Sequence, residues 1–308
     1  MTGRADRQHS PVDPETLKAV STLQVKVRRV MEGLQGGAHP SPHLGASVEF
    51  AEHKRYSPGD DIRHIDWRVL ARTDRYFVKQ HQREVVLRCL MALDCSASMG
   101  YRGQRARSDK LGFAVELLAT LAHILVRQGD AAGLLTFDDE TTNFIPPIRR
   151  ADHLTALMKK FVEVRPAVGG GTGFQTAIAD TAERVGRRAM VILASDLWGA
   201  TRETEVALGQ LAVRGHDVVV FHILDDDELE LPFDHPLTFS GMEEEPDVSV
   251  DPMLVRDDYR EEIKAVRERW QRVCGEAGID LVLARTSSAP EMVLSEFLAR
   301  RHGRGRRQ

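Results

Sequence analysis

From Val85 onward the chain alternates short, wholly apolar runs with longer amphipathic stretches, and few folds accept that rhythm. The runs "VVLRCLMALD", "AAGLLTF", "AMVILASD", "DVVVFHILD" and "IDLVLAR" are rich in β-branched and aliphatic residues. Strands without a polar face must be covered on both sides. Between them Leu111, Val115, Leu118, Leu121 and Leu125 recur at helical spacing. "DHLTALMKKFVEV", "FQTAIADTAERV", "TRETEVALGQLAVRG", "DDYREEIKAVRERWQRVCGEAG" and "APEMVLSEFLARR" read as helices too. The pattern predicts an α/β fold, a mostly parallel central sheet flanked by helices in three layers. "TTNFIPPI" is expected to form a hairpin with the strand before it. Residues 226–256, acidic and proline-containing, break the rhythm and read as an insertion, a β-hairpin or flap.

The first 84 residues differ. Residues 1–13 read as a disordered N-terminus, and a helix is expected from Pro14 to about Leu34, with Leu17, Val20, Leu23, Val27 and Val30 on one face. "GLQGGAHPSPHLG" then breaks regular structure. Residues 46–84 mix Arg, His, Asp and aromatic side chains with short β-like pieces such as "RYFVKQ". The expected division is therefore 1–13, an N-terminal helix and β-containing module over 14–84, an α/β domain over 85–301, and a basic tail over 302–308.

At 308 residues the chain is long enough for a substantial core, and 42% hydrophobic with 29% charged residues is the balance of a globular protein. A formal net charge of −4 argues against general polyanion binding. No apolar run approaches the ~20 residues of a membrane helix, and the polar start lacks the apolar centre of a secretory signal. The three cysteines, Cys89, Cys95 and Cys274, are odd in number and have no C-x-x-C spacing. They point to small buried hydrophobes in a reducing cytoplasm rather than to disulfides or zinc.

The stretch "MALDCSASMG" ends the first strand of the regular domain. An Asp-Ser turn capping the next helix is the plain reading. Ligands of open parallel sheets bind beyond the carboxyl ends of the strands, however. Two further loops fall on that edge: "GGGTGF", with Thr172 before a helix, and "ASDLWG", with Asp196 after a strand. Asp94, Ser96, Ser98, Thr172 and Asp196 are all hard oxygen donors. They suit Mg²⁺, or Mn²⁺ or Ca²⁺, and leave a coordination position open for an outside carboxylate.

This set resembles the metal-ion-dependent adhesion site of von Willebrand factor A domains, with its D-x-S-x-S followed by a distant Thr and a distant Asp. The resemblance covers about Val85 to Arg301 and implies metal ligation by those five residues. "YSPGDDIRHIDWRVLARTDRYFVK" (56–79) is similar to the signature of the domain-of-unknown-function-58 family, through Pro58-Gly59-Asp60-Asp61, Ile65-Asp66-Trp67 and Ala71-Arg72-Thr73. That resemblance implies a MoxR-type AAA+ ATPase as partner, with a role as adaptor in assembly or maturation of a protein client offering an Asp or Glu. It implies no reaction.

Two other classes remain to be separated from this one. A metal-dependent hydrolase acting on phosphoesters would use the same ion as Lewis acid, although no G-x-S-x-G, G-x-x-x-x-G-K-[ST] or H-E-x-x-H occurs. A nucleic-acid binder would use Arg55, Arg63, Arg68, Arg72, Arg75 and Lys79 with Tyr56, Trp67, Tyr76 and Phe77. Asp60, Asp61, Asp66 and Asp74 interleave with them and favour internal ion pairs. The acids Glu243, Glu244, Glu245 and Asp247 could fill the open metal position themselves, from within the chain or from a second copy, giving self-association.

Overall fold

The computed structural model describes residues 14–36, 53–56, 70, 75–79, 86–150, 152–169, 171–186, 188–242 and 246–305. Its elements run, in chain order, α1 (Pro14–Gly36), β1 (His53–Arg55), β2 (Phe77–Lys79), β3 (Arg88–Asp94), α2 (Lys110–Arg127), β4 (Ala131–Phe137), β5 (Thr141–Ile148), α3 (His153–Glu163) and α4 (Phe174–Val185). They continue with β6 (Met190–Ser195), α5 (Arg202–Val213), β7 (Asp217–Leu224), α6 (Asp226–Glu230), β8 (Leu237–Phe239), β9 (Val248–Val250), α7 (Pro252–Ala277), β10 (Asp280–Arg285) and α8 (Pro290–Gly305). A 3₁₀ turn, Ala97–Gly100, follows β3.

Six strands form the central sheet in the order β10-β7-β6-β3-β4-β5. All neighbours pair in parallel except β4 and β5, which form the expected antiparallel hairpin. Every residue of β4 and β6 is buried, as strands covered on both faces require. One face packs on α4, α5 and α7, where Phe174, Ile178, Leu208, Leu211, Trp270 and Cys274 meet Leu90, Leu135, Val191 and Val220. The helices α2, α3 and α8 pack together in a second group, and α1 lies against all three of them. The α/β fold expected from the rhythm is the one observed.

The chain falls into two compact units, residues 1–42 with 87–308, and residues 43–86. The N-terminal helix therefore belongs with the α/β unit and not, as expected, with the β-containing module. The reason is its buried stripe, Leu23, Val27, Val30 and Leu34, each 2–6% exposed. In the smaller unit, β1 and β2 pair antiparallel from His53↔Lys79 to Arg55↔Phe77, and Tyr56 N donates to Tyr76 O at 3.0 Å. Arg63, Trp67, Arg68, Arg72, the P-G-D-D, I-D-W and A-R-T elements and residues 1–13 lie outside the described residues.

Two boundaries move, and the insertion gains a helix. Residues 226–256 do contain a β8–β9 hairpin, but they open with the short helix α6. Residues 252–256, expected in the insertion, are the first turns of α7, started by Asp251, whose side chain accepts from Met253 N at 3.0 Å, and by Pro252 at the first helical position. The last helix runs to Gly305, so residues 302–305 of the expected tail are helical.

Candidate metal centre

Strand order reverses at β3: the chain leaves β3 for β4 and β5, then returns to β6 on the other flank. Such a reversal opens a crevice at the carboxyl ends of the two diverging strands. Asp94 ends β3 and Asp196 directly follows β6, so this topology sets both carboxylates at one crevice.

Asp94 is fully buried, with Oδ1 accepting from Ser96 N at 2.9 Å and Oδ2 from Ser195 Oγ at 2.6 Å. The first contact is the turn that alternation creates, and it brings Ser96 Oγ and Ser98 Oγ to 3.1 Å from one another. Asp196 is 3% exposed, and its Oδ1 accepts from Trp198 N at 2.9 Å. Leu197 between them takes a left-handed backbone with φ 56°, held by its N–H on Ser195 Oγ at 2.8 Å. A bulky residue in that region costs roughly 1 kcal/mol, strain of the kind that collects at functional loops.

Thr172 arrives from the opposite side. Gly173 N donates to Asp138 O at 2.7 Å, which fixes the glycine-rich loop to the end of β4, the strand beside β3. A Cβ at Gly173 would collide with the Asp139 carbonyl oxygen, so only glycine permits this approach. The Thr172 hydroxyl oxygen is buried and has no hydrogen-bond partner among the described residues. A buried, unpaired hydroxyl costs about 1–3 kcal/mol unless something else ligates it.

Burial first, and the Asp196 carboxylate second, push the Asp94 carboxyl up to about 7, against the hydrogen bonds of Ser195 and Ser96. Two carboxylates that repel one another, two adjacent hydroxyls and an unsatisfied third fit a hard divalent cation bound partly through water. Among the described residues no three His, Cys, Asp or Glu side chains gather as a metal cluster.

One participant was not anticipated. Lys110 is 1% exposed, and its Nζ donates to Asp196 Oδ2 at 2.7 Å and to Glu228 Oε1 at 2.5 Å. Burial pulls this ammonium down, but Asp196 and Glu228 outweigh burial and hold it above its ordinary value. Asp196 thus has a tethered cation on one oxygen already. The sequence signal was a lysine in the first turn of a largely apolar helix, where the helix dipole disfavours cations. Beneath Asp196, His222 Nε2 donates to its backbone carbonyl at 2.9 Å, and burial lowers this imidazole to about 4, so it stays neutral.

The end of β7 and the start of the insertion contribute buried acids. Asp225, Asp226 and Asp227 are buried, and Asp225 Oδ2 accepts from Gly103 N at 3.1 Å and Thr286 Oγ1 at 2.6 Å. Glu243, Glu244 and Glu245 lie outside the described residues. All three cysteines are free and buried, as expected.

Among known proteins, an uncharacterized protein of Mycobacterium tuberculosis, Rv1480, is 28% identical over 279 residues, covering 89% of this chain and 86% of its own. The uncharacterized protein Mb1516 of Mycobacterium bovis matches to the same extent. Among solved structures, the conserved hypothetical protein BatB of Bacteroides thetaiotaomicron aligns with a TM-score of 0.47 at 17% identity, over 70% of this chain and 98% of that one. A von Willebrand factor type A protein of Catenulispora acidiphila aligns with a TM-score of 0.41 at 14% identity, over 70% of this chain and 42% of that one. No helix among the described residues is long and apolar enough to cross a membrane. The profile described as "Protein of unknown function DUF58" matches residues 52–269, well over half the sequence, and the chain belongs to that family.

Proposed function

We propose that this protein is a non-enzymatic, divalent-metal-dependent protein-interaction module of the cytoplasm, an adaptor between a MoxR-type AAA+ ATPase and a client protein. Asp94, Ser96, Ser98, Thr172 and Asp196 hold Mg²⁺, or Mn²⁺ or Ca²⁺, and the ion supplies a positive site for an Asp or Glu of the client. The observation that carries this reading is the Thr172 hydroxyl, buried without a partner at the edge where Asp94 and Asp196 repel one another. Lys110 sets a limit on the charge the site can accept, because it already neutralises part of Asp196. An enzymatic reading through Cys95 is disfavoured: burial, then the neighbouring Asp94, push its thiol up to about 12, far from a usable thiolate.

Calorimetry with Mg²⁺ and Mn²⁺ tests the site. Asp94→Ala is expected to abolish binding, and Ser96→Ala and Ser98→Ala to weaken it less, because water replaces a neutral hydroxyl. Unchanged affinity in Asp94→Ala would remove that residue from the site. Pull-down of the ATPase from native cells should succeed with Mg²⁺ and fail with EDTA. Metal-dependent turnover of a phosphoester, lost in Asp94→Ala, would replace the adaptor reading with a hydrolase.

A further inference from the structure

Beside the candidate centre the insertion builds a pocket of about 330 Å³. Ser98 and Trp198, from the metal edge, line it together with Phe233, Phe239, Met242 and Val248 of the insertion. Trp198 is 47% exposed and Met242 41%, a continuous apolar surface next to charged loops. Tyr101 and Tyr259 add two more rings, and no Lys, Arg or His lines the pocket among the described residues.

The polar chemistry of the lining is acidic. Asp227 is 3% exposed and takes neutral donors only: Oδ2 accepts from Gln104 N at 3.1 Å and from Tyr101 Oη at 3.5 Å. Its Oδ1 has no hydrogen-bond partner among the described residues. Glu230 is paired with Arg105 at 2.6 Å and Asp226 with Arg285 at 3.5 Å, Glu228 shares Lys110 with Asp196, and Asp225, like Asp227, takes neutral donors only. Lys110 Nζ already sits 5.9 Å from the Tyr101 ring centroid, so one cation rests against this aromatic wall from inside.

We propose that the pocket is the docking site for an arginine side chain on an exposed segment of a partner protein. An arginine meets both parts of the lining. Its aliphatic stem covers apolar surface, and its planar, weakly hydrated guanidinium stacks on aromatic faces beside a carboxylate that no cation hydrogen-bonds. A leucine would satisfy the rings and leave Asp227 Oδ1 without a donor, and a glutamate would meet like charge. The proposal rests on reading this edge as a protein-docking surface, and it adds a basic anchor next to the acid bound at the ion.

The test uses the full chain and three peptides, acetyl-Gly-Leu-X-Leu-Gly-amide with X arginine, leucine or glutamate, followed by Trp198 emission with Trp198→Phe as control. The arginine peptide is expected to bind about tenfold more tightly than the leucine peptide, the scale of a partly desolvated cation–π contact. The glutamate peptide should bind more weakly than either. These peptides carry no other charge, so EDTA should leave the arginine preference unchanged. Asp227→Asn should cut that preference to about threefold or less without changing leucine binding, and Phe239→Ala should weaken both peptides. Equal or tighter binding of the leucine peptide, or no saturable binding of the arginine peptide, overturns the proposal. A fourth peptide with aspartate after the arginine tests the metal separately. A Mg²⁺-independent affinity there counts against the metal reading and leaves the arginine preference standing.

Discussion

Asp94 has the least comfortable side chain in the crevice. Its carboxyl sits near 7 in the fold against an ordinary 3.8, because burial and Asp196 penalise the ionised form. A group raised on folding binds its proton more tightly in the native state. Its contribution to stability is therefore present at low pH and lost as pH rises from about 4 to about 7. At pH 8 the metal-free protein should carry the full penalty, and Asp94→Asn should be more stable than wild type by about 1–3 kcal/mol. At pH 4 the two should melt together. Adding Mg²⁺ at pH 8 should raise the melting temperature of wild type and leave the variant unchanged. A variant less stable than wild type at pH 8 would show that hydrogen bonds from Ser195 and Ser96 outweigh the charge cost.

At the scale of elements, the site depends on how closely the glycine-rich loop meets the β4–β5 turn. Gly173 has φ −79°, which any residue can adopt, so its need for glycine is steric contact and not backbone freedom. Gly173→Ala should separate the loop from the Asp138–Asp139 turn and cost about 1–3 kcal/mol, the range of overpacking. It should also weaken Mg²⁺ binding more than Ser96→Ala does, because it moves Thr172 rather than removing one replaceable hydroxyl. Melting curves and calorimetry on the two variants decide this. Equal affinities would mean that Thr172 is not a donor. The sequence "GGGTGF" located the loop, but nothing in it marked Gly173 as the residue in contact with Asp139, because that contact spans two separate connections.

For the whole molecule, α1 closes the helical layer made by α2, α3 and α8. Val30 is 2% exposed on that seam. Val30→Asp should destabilise the protein by roughly 2–5 kcal/mol, the cost of burying an unpaired polar group. A chain this size loses about 2–4 °C in melting temperature per kcal/mol. A melt within 2 °C of wild type, by the same measure, would show that α1 contributes little to the fold.

By itself the sequence determined what is local or periodic. The all-apolar runs of β3, β4, β6 and β7 demanded a sheet covered on both faces, and the spacing of Leu111, Val115 and Leu118 demanded the helix between β3 and β4. Asp94-x-Ser96-x-Ser98 was legible because its turn closes over two residues, Ser96 N onto Asp94 Oδ1. The tertiary structure decided everything that joins distant segments. It put Lys110 between Asp196 and Glu228, 86 and 118 residues away, buried the Asp225–Asp227 acids, and assigned α1 to the α/β unit instead of the module that follows it. The physical reason is the same in each case. A charge or an apolar stripe in sequence specifies that it must be paired or covered, and only the fold selects the partner.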